Sequence, residues 1–199
     1  ENAQTVKTPP KPSEKLPLLC TFKKRLPKFC PLIGYDTFFI STNRFYGTIN
    51  GLRIGFYKYD ENTVHENNLA FCQICHLISL FKTAFQIPQI HIFIRCAGIQ
   101  LDGEKQQNLE VPSKKKAALL ERFNTALEKL FTAYTLIEAA TPQVENFSYE
   151  TYKIDLNKKT ISNTKFVLDW KHLEEWSVAM KFLLINLKIL QCRSILSAI

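Results

Sequence analysis

Glycine is scarce in this chain, six in 199 residues, and half of it falls in one stretch, at Gly47, Gly51 and Gly55. That spacing is not the G-x-G-x-x-G of a dinucleotide site, and no P-loop occurs, so a phosphate-cradling loop has no support. No nucleophile elbow or H-E-x-x-H is present either. The four histidines, His65, His76, His91 and His172, have no carboxylate or nucleophile at a recognisable spacing. No residue is marked as the centre of an enzyme. A long apolar run is also missing, and a bilayer span needs ~20 mostly apolar residues. The first residue is not Met and no charged-then-apolar leader follows, so neither a secretory signal nor a membrane-spanning helix is expected, and the chain reads as a fragment candidate of something longer. Six cysteines (Cys20, Cys30, Cys72, Cys75, Cys96, Cys192) are too few and too scattered for a disulfide scaffold, which fits free thiols in a reducing setting.

What is present is enough apolar mass for a core: 46% hydrophobic residues, with fifteen Phe. Charge is unevenly placed. Residues 1–34 hold net +5 of the chain's +8, together with six of its nine prolines. Proline at that density excludes a long helix or coiled coil, so 1–34 reads as a basic linker or tail and 35–199 as the folded domain. Lys23–Lys28 within the tail has the look of a localisation or phosphate-binding run, against the plainer reading of a solvated linker.

From Tyr35 the pattern turns regular. Asn50-Gly51 between two apolar runs predicts a hairpin, because a type I′ turn needs positive φ at both central residues. A helix is predicted from about Glu66 to Phe85, stopped by Pro88. Ile90, Ile92 and Ile94 alternate as a strand, and a polar loop through Asp102-Gly103 and Glu104–Asn108 returns along Leu109 and Val111. Ser113 reads as the cap of a second helix, Lys114 to about Glu138. Phe147–Leu156 and Thr160–Ile161 flank a second hairpin-like signal at Asn157-Lys158-Lys159, and Phe166-Val167-Leu168 reads as a further strand. The closing helix spans Asp169–Leu190, with Asp169 as N-cap and apolar residues on all sides but a ridge through Glu174, Lys181 and Lys188. The organisation is an α+β domain: three sheet-helix (β-β-α) repeats of roughly 50 residues around one core, the C-terminal helix central.

Three short motifs invite chemistry. Cys72-Gln73-Ile74-Cys75-His76 matches both a c-type haem attachment site and a C-x-x-C redox pair. Cys72 lies inside an apolar helix, not at a helix N-terminus where its pKa would fall, so the pair reads as small hydrophobes. Zinc would need two further ligands near the pair, and only coincidental ones are available. Asn146-Phe147-Ser148 is a glycosylation sequon without meaning unless the chain is secreted. Lys114-Lys115-Lys116 at a helix start opposes the helix dipole, which points to an anionic partner such as lipid headgroups or to lysines that simply stay solvated.

Several stretches carry a resemblance. Thr48-Ile49-Asn50-Gly51-Leu52-Arg53-Ile54-Gly55 resembles the TIN-x-x-RLG hairpin of the Beclin family of autophagy proteins. Glu66, Asn68, Ala70 and Gln73 fall where that family has E-x-N-x-A-x-x-Q, and Tyr152-Lys153-Ile154-Asp155 is similar to its Y-R-M-D strand. Glu174-Glu175-Trp176, Ala179, Lys181-Phe182, Leu184 and Asn186-Leu187-Lys188 resemble its closing helix. The resemblance covers about residues 36–192 and implies the β-α repeated, autophagy-specific domain.

It further implies a non-catalytic scaffold and membrane-association subunit of the class III phosphatidylinositol 3-kinase complex, acting in autophagosome formation and endosomal or vacuolar sorting. The implied partners are the kinase catalytic subunit, its regulatory pseudokinase subunit, a coiled-coil autophagy or endosomal subunit, and an anionic membrane surface; no cofactor, metal or nucleic acid is expected. The implied location is cytoplasmic, peripheral on autophagosomal precursor and endosomal membranes. The family's aromatic finger aligns with Ala117-Ala118-Leu119, so the wedge is missing or moved, and Lys114–Lys116 become the candidate membrane contact. The family's upstream coiled coil has no counterpart here, so coiled-coil pairing is expected to need residues outside this chain. Two rivals remain: a basic nucleic-acid-binding module, which would keep RNA affinity without residues 1–34, and a thiol oxidoreductase, which needs a depressed Cys72 pKa.

Overall fold

The computed structural model describes residues 30–114, 117–145 and 147–197. The readings of Lys23–Lys28, Lys115-Lys116 and the Asn146 acceptor lie outside those residues. Residues 30–37 are helical (α1). The Gln191 side chain donates to the carbonyls of Gly34 and Phe38, at 2.8 and 3.0 Å, and fixes this helix to the end of the chain. Residues 30–34, whose composition resembles the tail, are therefore part of the packed unit.

Three antiparallel meanders follow, each leading into a helix. β1 (Ile40–Thr42), β2 (Gly47–Ile49) and β3 (Leu52–Ile54) form the first sheet, in that order. Asn50 and Gly51 take φ of 51° and 78°, so Ile49 pairs with Leu52 across the expected tight turn. Ile40, Ile49 and Ile54 point into the core. At Gly47 a Cβ would lie 2.7 Å from Leu184 Cδ1, so β2 rests close on the last helix and any side chain there would have to displace Leu184.

The helix α2 (Glu61–Ala84) starts five residues earlier than its apolar periodicity suggests, because Asp60 caps it by accepting the Thr63 N–H. The second sheet has β4 (Ile90–Phe93), β5 (Gly98–Leu101) and β6 (Gln107–Asn108). Ile94 is not on the strand; it opens a 3-10 turn to Cys96. The polar return at Asp102-Gly103 is a turn closed by Glu104 N–H to the Leu101 carbonyl, with Gly103 at φ 78°. The central strand β5 has no counterpart in the sequence reading.

The second repeat helix, α3, spans Ala117–Ala140. Lys114 precedes it in a turn, and Ser113 stands four residues ahead of it, too far to be its cap. The third sheet is built of two-residue strands β7 (Ile154–Asp155), β8 (Thr160–Ile161) and β9 (Thr164–Lys165). Lys159, and then Ser162 and Asn163, take positive φ at its two turns. Phe166–Leu168 is not a strand. The closing helix α4 (Leu173–Leu196) begins after Asp169, whose carboxylate accepts the Lys171 N–H at 2.9 Å and whose carbonyl accepts that of His172. Asp169 thus closes a turn ahead of the helix and is not its N-cap. The α+β class stands, but each repeat has three strands where two were expected.

Trp176 marks the centre of the core. It is wholly buried, with its ring 5.5 Å from Phe56, 6.5 Å from Phe71 of α2 and 6.3 Å from Phe123 of α3. All three repeats therefore meet on one side chain of α4.

The repeats are also stitched by a recurring hydrogen-bond device. Asn68, eighth residue of α2, accepts the Val111 N–H and donates to its carbonyl, just before α3. Asn124, eighth residue of α3, does the same to Leu168, just before α4. Ser177 of α4 accepts the Phe56 N–H at 2.7 Å, just before α2, and its single hydroxyl proton is shared between the Leu173 carbonyl at 2.7 Å and the Phe56 carbonyl at 3.0 Å. The two asparagines satisfy both polar groups of one buried backbone residue in the next segment, and Ser177, which takes the Phe56 N–H, closes the third helix back on the first. Buried peptide groups need such partners where no ladder supplies them.

Candidate functional site

The segments that lead into the three helices converge on Tyr59. The Lys114 N–H donates to the Tyr59 hydroxyl at 3.0 Å, and the Lys114 ammonium lies 5.9 Å from the centre of its ring. The Trp170 ring sits edge-on to Tyr59 at 5.4 Å. The starts of α2, α3 and α4 therefore share one end of the molecule. Two further aromatics stand out from the same end. Phe45, in the β1–β2 loop, is 50% exposed, and Tyr57, after β3, is 67% exposed. Their rings meet edge-to-face at 5.3 Å, and the Arg44 guanidinium lies 5.5 Å from the Phe45 ring centre.

Arg44 is thus against the Phe45 ring and Lys114 against Tyr59, while Lys58 and Lys171, next in sequence to Tyr57 and Trp170, are exposed. Of the carboxylates here, Asp60 is engaged as the α2 cap and Asp169 with Lys171 and His172. Those contacts, the Lys171 N–H first and then His172, hold the Asp169 carboxyl below its ordinary pKa. Glu61 and Glu174 lie in first helical turns, where the dipole favours them. Ala118 and Leu119 are exposed at the start of α3. Apolar rings with cations beside them can enter a lipid interface while the charges meet headgroups.

The residues read as family signature fall into this frame as structural parts. Asn50 accepts the Phe39 N–H and donates to Gln73, holding the hairpin to α2. Arg53 makes two hydrogen bonds to the Glu66 carboxylate, which also accepts the Arg53 N–H. Thr48 pairs with Ser41 and Arg53 within the sheet, and Gly55 takes φ 130° against Ser177. Asn186 clamps both backbone groups of Tyr152, whose ring lies 4.2 Å from that of Phe182. Lys188 donates to the Ile40 carbonyl at 2.9 Å and so ties β1 to α4; Lys181, half-buried, runs beside Gly47. The sequence reading did not single out Asn67, Asn124, Ser177, Phe45 or Tyr57 as site residues. Asn67 is wholly buried and holds both backbone groups of Gly55.

The C-x-x-C pair sits in the core side of α2. Burial first, then the neighbouring Cys96, pushes the Cys72 thiol above its ordinary value, and burial pushes Cys75 up further. That is opposite to an activated redox thiol. Among the described residues no three His, Cys, Asp or Glu stand together as metal ligands, and no helix is long and apolar enough to cross a membrane.

Three meander-and-helix repeats closed on a shared core helix define a β-α repeated domain. The family model of the Apg6 BARA domain matches residues 32–195, and the chain belongs to this Beclin-type family. A comparison with curated proteins gives no match. Membership gives the chain an autophagy-related, Beclin-type role, in a family that is in general non-catalytic.

Proposed function

We propose that the protein is a non-catalytic scaffold subunit of a class III phosphatidylinositol 3-kinase complex that meets anionic membranes through the end where its helices start. The observation that supports this most is the exposed Phe45–Tyr57 pair with Arg44 against it, at the end of the molecule where Lys114 meets Tyr59. Each basic residue held at an anionic surface contributes ~1 kcal/mol, and the rings add apolar burial at the interface. On this reading the aromatic contact comes from the first repeat, while Lys114 and Leu119 bring the second repeat to the same surface. The kinase catalytic subunit, its pseudokinase-like regulator and a coiled-coil subunit are the partners, and the membranes are autophagosomal precursors and endosomes.

The test of complex membership is affinity purification of the full native product, followed by a phosphatidylinositol kinase assay on the eluate. The proposal expects phosphatidylinositol 3-phosphate formation that disappears when the lipid kinase subunit is depleted. An eluate without that kinase, from both this chain and any longer native product, sinks it.

A further inference from the structure

A second feature lies at the other end of α4 and is independent of membrane binding. Arg193, in the last turn of α4, is only 6% exposed, yet among the described residues its guanidinium has no hydrogen-bond or ion-pair partner, and Nη2 is buried. A buried cation left unpaired is strongly disfavoured unless an anion completes it. Arg193 lines a cavity of about 570 Å³ whose other walls come from the end of α3, from Gln143 and Val144, and from Phe147 and residues 149–151. That volume is within the range of small-ligand sites.

The groups facing the guanidinium decide what could enter. Glu138 is already engaged, since its carboxylate accepts the Thr151 hydroxyl, and it forms no ion pair with Arg193. The buried Tyr134 hydroxyl lies in the field of both Glu138 and Arg193 and, desolvated there, keeps its proton. Glu150 stands on the wall with Gln143 and Tyr149. Two carboxylates against one guanidinium disfavour a dianion such as phosphate. A single carboxylate matches the planar fork of Arg193, and a group that is neutral or cationic beside it suits the glutamates.

We infer that this cavity is a binding site for a ligand carboxylate, held by Arg193 and followed by a neutral or cationic group. The same chemistry could be offered by a small organic acid or by a Glu or Asp side chain of a protein segment. Roughly 25 Å of helix, the rise from Trp176 to Arg193, separates this site from the membrane-facing end, so either proposal can fail without the other.

The test is thermal unfolding of the full chain with sodium acetate, with the blocked tripeptide acetyl-Ala-Glu-Ala-amide, and with sodium chloride at equal ionic strength. At a hundredfold excess over Kd, the carboxylate probe is expected to raise Tm by roughly 5–10 °C above the chloride control. A larger shift with acetate identifies a small acid as the source, and a larger shift with the tripeptide identifies a protein segment. Arg193→Met should fold with Tm at or above that of the unliganded parent and lose the response. Arg193→Lys should fold and respond at least tenfold more weakly, having lost the fork. No shift from either probe, or an equal shift in Arg193→Met, overturns the inference. So does a fall in Tm of both variants without any probe, which would mean that Arg193 is neutralised within the fold.

Discussion

Asn124→Ala isolates the device that joins the second repeat to the third. The Asn124 amide satisfies the Leu168 N–H at 2.8 Å and the Leu168 carbonyl at 3.1 Å, and Leu168 itself is buried. Truncation removes two hydrogen bonds and leaves a buried donor and a buried acceptor without partners. Each such loss costs ~1–3 kcal/mol. Asn124 is only half-buried, so water entering the space it leaves offsets part of the loss. The expected cost is then about 2–4 kcal/mol. Thr125→Ala is the control, one residue along on the exposed side of the same helix, and should stay within roughly 0.5 kcal/mol. Urea unfolding followed by far-UV circular dichroism measures both, with the m-value reporting whether the repeats still unfold together. If Asn124→Ala costs no more than the Thr125 control, the seam between the repeats is held by apolar packing alone and the stitching argument is wrong. A fall in midpoint with the m-value kept is the outcome the geometry requires.

Other consequences are simpler. Trp176→Ala should destabilise by roughly 3–5 kcal/mol, read by the same unfolding curves, because it empties the place where all three repeats meet. Trp176→Phe should cost much less, since the buried indole N–H has no partner to lose. In a native thiol titration with an aromatic disulfide reagent, exposed Cys96 should react promptly and Cys75 only on unfolding. Fast reaction at Cys75 would mean that α2 opens locally.

Much of the fold could be read from short-range pattern. The Asn50-Gly51 turn is a local rule, and each long helix has apolar spacing sustained over many turns. The small strands are different. β5 is four residues long and opens on glycine, and the strands of the third sheet are two residues each, so no alternation can build up. Phe166–Leu168 has strand composition, but the Leu168 peptide groups go to Asn124 and not to a ladder. The start of α4 moved to Leu173 because Asp169 caps a turn first.

The site divides in the same way. Lys114 was visible as a charge run, though it stands before α3 and not in its first turn. Phe45 and Tyr57 are ordinary residues in a row of loop positions until the hairpin brings them within 5.3 Å. Asn68 and Asn124 look like helix-surface amides; that both are the eighth residue of their helix emerges only when the helix starts are known. Arg193 reads as a favourable cation in a last helical turn, and nothing local says that it is buried.

The most direct test of the membrane claim is flotation of the full chain with liposomes of phosphatidylcholine containing phosphatidylserine. The account predicts that the parent floats, that Phe45→Ser with Tyr57→Ser loses most of that binding, and that Lys114→Glu weakens it by a further several-fold, with circular dichroism unchanged in each. Undiminished flotation of the Phe45–Tyr57 double variant would contradict it.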